Sequence, residues 1–120
     1  IFSPCAMGAV INNDTIDVLR VDFVAGAANN QLAEARHGQA LHGRGIVYAP
    51  DYVINAGGLC NVYGELAGWT AEQSMEKAGG IYECLLEVFG HALIEDIPTS
   101  RAADILAQRC FAEARRARDA

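Results

Sequence analysis

The first half of the chain alternates short apolar runs with longer polar segments. Residues 21–25 and 46–49 are apolar runs that end at turn or loop residues, and residues 1–3 have the character of the end of a third run. The polar segment over residues 33–44 has helical spacing, and Gly45 follows it at a position typical of a helix end. Strands that alternate with helices over short connections are typical of a parallel sheet. The pattern therefore predicts an α/β fold.

The second half of the chain has the pattern of nearly continuous helix after Gly58. Thr70 and Gln73 have the spacing of a capping box, which marks the start of a helix. Apolar residues then recur every three or four positions as one stripe: Ala78, Ile81, Tyr82, Leu85, Phe89, Ala92 and Leu93. Gly79-Gly80 is expected to weaken this helix locally or to permit close packing. A last helix is expected to begin at Thr99, whose side chain can cap it.

Composition and charge exclude several classes of partner. The chain has 120 residues, of which 52% are hydrophobic, and this is enough for the core of one small domain. No apolar run reaches the roughly 18 residues of a membrane span, so no membrane segment is expected. The net charge is −6, whereas a protein that binds nucleic acid or an anionic membrane surface needs a basic face. We therefore expect neither partner.

The four cysteines are widely spaced along the chain: Cys5, Cys60, Cys84 and Cys110. They form no CxxC pair, so neither a structural zinc site nor a redox dithiol is expected, and we predict no metal site. Because their neighbours in the sequence are apolar or small, we expect reduced, buried thiols of the kind found in cytoplasmic proteins.

The three apolar runs end in small, polar or glycine-containing segments. These are residues 5–8, residues 26–30, and residues 50–51, which lead on to Asn55. Ligands of open parallel α/β sheets bind beyond the carboxyl ends of the strands, so the three segments predict a shared cleft. Amide side chains can donate and accept hydrogen bonds there, and glycines let a ligand approach the backbone. In the alternative interpretation the glycines only form turns and the asparagines only cap helices.

Three motifs together indicate a family resemblance. They are YAPDYVINAGGLCNV at residues 48–62, GAANNQL at residues 26–32 and PCAMG at residues 4–8. The set resembles the amino-acid dehydrogenases of the leucine, valine and phenylalanine dehydrogenase family, and the resemblance covers essentially the whole chain. Subunits of that family have an N-terminal domain, which holds the catalytic lysines and an aspartate, and a second domain, which binds NAD. The resemblance implies the same two-domain organisation for the complete protein.

The GxGxxG phosphate fingerprint, which belongs to the first half of a dinucleotide-binding fold, is absent from the sequence. We therefore expect residues 1–58 to form the second half of a Rossmann-type NAD-binding domain. Residues 59–120 are expected to be C-terminal helices that pack on it and return toward the N-terminal domain. The chain has no initiator Met and no signal-peptide pattern, and its first residues resemble the middle of a strand. It is therefore expected to begin inside a larger protein.

The resemblance also implies positions for the cofactor. The backbone at Cys5 and Ala6 would line the nicotinamide and ribose side of NAD. The amides of Asn29 and Asn30 would line the same side. Asn55 would lie near both the nicotinamide and the amino-acid substrate.

Two further positions carry the inference about the substrate. The resemblance implies that Leu59 and Val62, together with Asn55, form the pocket for the substrate side chain. Glutamate dehydrogenases place a hydroxyl residue where Val62 stands, to meet the second carboxylate of glutamate. Valine cannot donate that hydrogen bond, and an unpaired buried carboxylate is costly. We therefore expect an apolar amino acid as substrate, and glutamate dehydrogenase is disfavoured. Packing within a helix is the alternative role for both residues.

The reaction implied by the resemblance is the reversible oxidative deamination of an apolar L-amino acid, of the leucine, valine, phenylalanine or tryptophan type. None of the proton-transfer groups of the family is in this sequence, and the only lysine, Lys77, lies in a surface-type helix. We assign no catalytic residue, and we expect the 120-residue chain alone to be inactive. A homo-oligomer is expected from the resemblance. A non-catalytic α/β module that binds a nucleotide or a partner is the alternative function.

Overall fold

Within residues 1–119, which are the residues that the computed structural model describes, two short strands and five helices follow one another. The strands are β1 (Phe23–Val24) and β2 (Val47–Tyr48). The helices are α1 (Ala35–Gly43), α2 (Asp51–Ile54), α3 (Gly57–Ala67), α4 (Ala71–Glu95) and α5 (Thr99–Asp119). A single 3-10 turn at Ile16–Val18 precedes β1. The fold is therefore mixed α/β, as the sequence predicted, with the strands in the first half and long helices in the second.

The two strands are parallel neighbours, with Phe23 opposite Val47 and Val24 opposite Tyr48. On the other side of β1, Phe2 forms a parallel bridge with Val24, and its backbone N–H donates to the carbonyl of Phe23 over 2.9 Å. Three extended segments thus lie side by side in chain order and point in the same direction. This arrangement confirms the parallel sheet that the three apolar runs predicted.

The strands are shorter than the apolar runs that predicted them. The last ladder bond runs from the N–H of Ala49 to the carbonyl of Val24 over 2.9 Å. Pro50, which follows, has no N–H to donate, and the chain turns into α2 at Asp51. The hydrogen-bonded pairing of the run at residues 46–49 therefore ends at the proline that follows it.

The end of α1 has the hydrogen bonds of a Schellman motif. The N–H of Gly45 donates to the backbone carbonyl of His42 over 2.9 Å, and the N–H of Ile46 donates to the backbone carbonyl of Leu41 over 3.0 Å. Gly45 has a φ of 69°, which is the left-handed conformation that this position requires. The predicted role of Gly45 is confirmed. The motif also brings Ile46 against Leu41, which belongs to the same buried cluster.

A hydrophobic core lies between the sheet and α1. Its buried members are Ile11, Ile16, Val24, Leu41, Ile46 and Tyr48. A parallel bridge between Ile11 and Leu32, which the sequence pattern did not predict, ties the chain before the 3-10 turn to the segment after β1. This core supports the sheet from one face.

The start of α4 is capped as predicted. The N–H of Gln73 donates to the hydroxyl of Thr70 over 3.3 Å, and the N–H of Thr70 donates to the side chain of Gln73 over 2.9 Å. The helix continues without a break through Gly79-Gly80, where an added Cβ would meet no atom within 4 Å among the described residues. Of the two alternatives given for these glycines, close packing is not found among the described residues.

Only part of the apolar stripe of α4 is buried within the described residues. Val88 and Ala92 are buried, whereas Tyr82 is 65% exposed and Leu93 is 83% exposed. The helices α2, α3 and α5 all contact α4, but together they cover one side of it. Tyr82 and Leu93 lie outside that side and are exposed within the described residues.

A second core cluster joins α4 to α5. Its buried members are Val88, Ala92, Ala102 and Ala103, and Val53 of α2 packs against it. Thr99 is the first residue of α5, and its hydroxyl donates to the carbonyl of Tyr48 over 2.5 Å. The side chain thus ties α5 to β2 in place of the cap that was predicted for it.

The prediction of buried cysteines was wrong. Cys5, Cys84 and Cys110 are exposed and Cys60 is half-buried. Among residues 1–119, no helix has both the length and the apolar composition that a membrane-spanning helix needs.

The conformation of Gly45 leads to a paired stability prediction for the complete protein. Neither Gly43 nor Gly45 has an atom within 4 Å of an added Cβ, so the two positions differ mainly in φ. Gly45→Ala should lower the free energy of unfolding by about 1 kcal/mol, because alanine is strained at positive φ. Gly43→Ala should raise it by about 0.5 kcal/mol, because alanine stabilises a helix. Thermal unfolding monitored by circular dichroism measures both, and equal shifts in the same direction would contradict the assignment.

Candidate functional site

The loops at the carboxyl ends of the three parallel segments meet at one edge of the sheet. After Phe2, the carbonyl of Pro4 accepts a hydrogen bond from the N–H of Ala28 over 3.0 Å, so the first loop lies against the loop that follows β1. At Gly26 an added Cβ would lie 2.1 Å from the carbonyl oxygen of Pro4, so only glycine allows this approach. The structure thus brings the predicted segments 5–8 and 26–30 together.

The third segment joins them through a pair of amides. The side-chain Nδ2 of Asn55, which directly follows α2 as its C-cap, donates to the side-chain Oδ1 of Asn29 over 2.5 Å. The same nitrogen lies 3.4 Å from the carbonyl oxygen of Ala27. Asn29 is exposed and Asn55 is half-buried. The remaining hydrogen-bonding groups of both amides are therefore accessible at the edge of the sheet.

Cys5 lies on the other side of Ala27. Its thiol contacts the hydroxyl of Ser3 over 3.4 Å. A hydrogen bond from the backbone of Ala27, followed by the Ser3 hydroxyl, lowers the pKa of the Cys5 thiol below its ordinary value. Ala27 is thus the common neighbour of Cys5 and Asn55.

Ala6 is exposed in the bend that follows Cys5. Two residues later the chain again touches the second loop, because an added Cβ at Gly8 would lie 2.8 Å from the carbonyl oxygen of Asn29. The segment that contains Ala6 is therefore held at both ends against residues 26–30. Its small side chain leaves the backbone open to solvent.

Asn30 is held by its backbone. It has a φ of 53°, and its N–H donates to Oδ2 of Asp51 over 2.7 Å, while its carbonyl accepts from the N–H of Ala9 over 2.6 Å. Its side chain is exposed. The left-handed conformation, which asparagine tolerates better than most residues, turns the chain away from the cleft after Asn29.

The buried carboxylate of Asp51 connects the second loop to β2. Its Oδ1 accepts the hydroxyl hydrogen of Tyr48 over 2.6 Å, and its backbone N–H donates to the Tyr48 oxygen over 3.1 Å. Burial, and then the hydrogen bond to Asp51, raises the pKa of Tyr48 well above its ordinary value, so its hydroxyl remains a donor. These contacts make Asp51 a residue that fixes the second loop against β2.

Gln31 is a residue of this region that the sequence analysis missed. It is fully buried, and its Nε2 donates to the carbonyls of Gly26 over 2.7 Å and Ala28 over 2.9 Å. The only signal in the sequence was a long amide side chain next to the apolar Leu32, directly after the loop. Gln31 is buried because the loop of residues 26–30 folds back over it.

Leu59 and Val62 lie on α3, three residues apart and therefore on one face of the helix. Leu59 is 72% exposed and Val62 is 56% exposed. No hydrogen bond or buried cluster of the described residues joins them to the amide pair. They follow Asn55 directly in the chain, so an exposed apolar face begins where the amide site ends.

Neither His37 nor Lys77 lies at the amide site of Asn29 and Asn55. The buried imidazole of His37 accepts the N–H of Glu34 at Nδ1 over 3.0 Å, so its Nε2 carries hydrogen and donates to Asn13 over 3.0 Å. Lys77 is exposed on α4. The amide site itself offers hydrogen bonds and open backbone, which suits it to binding and orienting a planar polar group.

Comparison with known proteins gives the relationships of the chain. Residues 1–118 match the family model described as Glutamate/Leucine/Phenylalanine/Valine dehydrogenase. Over 108 residues, 90% of this chain, it is 56% identical to a leucine dehydrogenase of Thermoactinomyces intermedius, and the match covers 30% of that relative. It is 52% identical to the leucine dehydrogenase of Bacillus subtilis (strain 168), over 98% of this chain and 32% of the relative.

A solved structure supports the same relationship. The crystal structure of L-tryptophan dehydrogenase from Nostoc punctiforme superimposes with a TM-score of 0.91 at 44% identity, and the match covers 96% of this chain and 34% of that one. The chain thus spans about a third of the length of the relatives that it matches. Because the family model matches nearly all of the sequence, the resemblance seen in the motifs is confirmed, and the chain belongs to the glutamate/leucine/phenylalanine/valine dehydrogenase family.

Proposed function

We propose that the complete protein is an NAD-dependent dehydrogenase that converts an apolar L-amino acid reversibly into the 2-oxo acid and ammonia. In this proposal residues 1–58 are the second half of a Rossmann-type NAD-binding domain. Residues 59–120 are the C-terminal helices that return toward the N-terminal domain, and the subunits form a homo-oligomer. Membership of the family supports the reaction class, since its named members are amino-acid dehydrogenases.

The observation that carries the proposal is the amide pair between Asn29 and Asn55 at the edge of the parallel sheet. Its position, beyond the carboxyl ends of the strands, is where open α/β sheets bind ligands. The carboxamide of nicotinamide is planar and both donates and accepts hydrogen bonds, which matches the free groups of the two asparagines. Ala6 and Ala27 place only small side chains beside the pair, so a flat ring could lie against the backbone. The residues present therefore fit the nicotinamide end of NAD.

The substrate class is inferred from α3. Leu59 and Val62 present an apolar, exposed surface directly after Asn55. Relatives of the chain include leucine, phenylalanine, L-tryptophan and valine dehydrogenases at 45–56% identity. Binding an apolar substrate side chain against this surface would remove apolar area from contact with water, which is favourable. The second carboxylate of glutamate would find no hydrogen-bond donor at Val62.

In this mechanism the residues of this chain bind and orient the cofactor and the substrate. Bound NAD would accept the hydride from the Cα of the substrate. Asn29 and Asn55 would hold the nicotinamide ring so that one face is turned toward the amino acid, and Leu59 and Val62 would exclude water from the substrate side chain. Orientation of this kind lowers the barrier because the reacting atoms start close together and aligned. The groups that move protons would come from the remaining part of the protein.

A substrate panel on the complete protein tests the proposal. NADH formation is followed by absorbance with leucine, valine, phenylalanine, tryptophan and glutamate. At least one apolar amino acid should react with a kcat/KM at least about 100-fold above that of glutamate, because a buried carboxylate without a donor is strongly rejected. Turnover of glutamate as the best substrate would contradict the substrate assignment. Binding of NADH without turnover of any amino acid would favour the non-catalytic module.

The role of Val62 is tested by Val62→Ser in the complete protein. The kcat/KM for the best apolar substrate should fall about fivefold to tenfold, because a hydroxyl replaces two methyl groups of the pocket wall. Val18→Ser is the matched control, since Val18 is 69% exposed on the 3-10 turn before β1, outside the proposed pocket. Equal rates for Val62→Ser and wild type with every apolar amino acid would remove Val62 from the pocket.

The 120-residue chain purified alone should show no NAD-dependent deamination. Its only lysine is the exposed Lys77, and the phosphate fingerprint is absent from its sequence. The assay uses saturating leucine and NAD, with the complete protein as the positive control. Turnover that co-purifies with the 120-residue chain, free of host enzymes, would mean that catalytic groups lie within it.

A further inference from the structure

The loop of residues 26–30 is held from beneath by one side chain. Gln31 is 0% exposed, and its Nε2 donates to the carbonyls of Gly26 over 2.7 Å and Ala28 over 2.9 Å. Among residues 1–119, no backbone N–H donates to either of these carbonyls. The side chain thus supplies hydrogen bonds that regular secondary structure would otherwise provide.

The orientation of this amide is determined by its neighbours. Two carbonyl oxygens face one end of the Gln31 side chain, so that end must be the NH2 group, which can donate to both. The other end, Oε1, is buried and accepts no hydrogen bond from the described residues. Gln31 therefore acts on the loop through its NH2 end.

The two carbonyls held by Gln31 flank the part of the loop that faces the cleft. Between them lies Ala27, whose carbonyl lies 3.4 Å from Nδ2 of Asn55. Directly after them comes Asn29, which accepts the hydrogen bond of Asn55. The Gly26 carbonyl belongs to the peptide group before Ala27, and the Ala28 carbonyl belongs to the peptide group before Asn29. Without the bonds from Gln31 both peptide groups would be free to rotate, which would let Asn29 move away from Asn55.

We propose that Gln31 is a positioning residue for the cofactor, which holds Ala27 and Asn29 in the orientation that receives the nicotinamide. It touches no ligand itself and acts through the two carbonyls and the Asn29 side chain. The inference rests on the proposed function, because it assigns a role within the proposed NAD cleft.

Two substitutions in the complete protein test it. Gln31→Met fills nearly the same space without a donor, and Gln31→Glu keeps the shape but places carboxylate oxygens against the two carbonyls. The Kd for NADH, from fluorescence titration, should rise about tenfold for Gln31→Met and further for Gln31→Glu. The KM for NAD should rise in parallel, and the kcat at saturating NAD should fall, because a loosely held nicotinamide is less often in the reactive orientation. Gln39→Met and Gln39→Glu are the controls, because Gln39 is exposed on α1.

The possible results separate the two proposals. If the wild-type protein does not bind NADH, the proposed function fails. If wild type binds NADH and both Gln31 variants bind it equally well, the function stands and the role of Gln31 is wrong. A Gln31→Met variant that does not fold would assign Gln31 to stability alone and would also overturn the inference.

A double-mutant cycle tests the route through Asn29. In an Asn29→Ala background, Gln31→Met should raise the Kd for NADH by less than about threefold, because the side chain that Gln31 positions is already absent. A loss of the same size in both backgrounds would contradict the route.

Discussion

Parallel pairing of three consecutive extended segments is the constraint on which the rest of the structure depends. Phe2 bridges β1, and β1 pairs with β2, so all three segments run in the same direction. Parallel strands place every carboxyl end at one edge of the sheet and require helical connections across its faces. The loops that carry Cys5, Asn29 and Asn55 meet for this reason, although Cys5 and Asn55 are far apart in the sequence.

The loops at this edge are held by side chains, because loops lack the ladder bonds of the sheet. Asp51 accepts the N–H of Asn30 and the hydroxyl of Tyr48, and Gln31 binds two loop carbonyls from beneath. The asparagines above them keep free hydrogen-bonding groups at the surface. Buried polar residues thus fix the geometry, while exposed polar residues remain available to a ligand. This division of roles is expected of a binding site with a rigid support.

The helical half is covered less completely than the sheet. Val88 and Ala92 of α4 pack against α5, but Tyr82 and Leu93 on the same helix are exposed, as is Leu66 on α3. The relatives that the chain matches are about three times as long. In the proposed organisation these faces would meet the remainder of the protein, and Leu59 and Val62 would contribute to a pocket that two domains share.

Local chemistry allowed much of the fold to be predicted from the sequence. Gly45 ends α1 because positive φ favours glycine, Thr70 and Gln73 start α4 by reciprocal hydrogen bonds, and the apolar runs became parallel segments. These features depend on neighbours in the chain, so a sequence pattern records them. The motifs at residues 4–8, 26–32 and 48–62 likewise indicated the family.

Other features depend on contacts between residues far apart in the chain, and only the tertiary structure decided them. The narrow covered side of α4, the exposure of the cysteines and the bond from Thr99 to β2 follow from which elements pack together. The burial of Gln31 beneath its loop is the clearest case, since an amide after two asparagines has no periodicity that marks it as internal. The sequence by itself determined which elements form and which family they belong to. The folded chain decided which polar side chains support the site and which remain exposed, because burial is a property of packing and not of residue order.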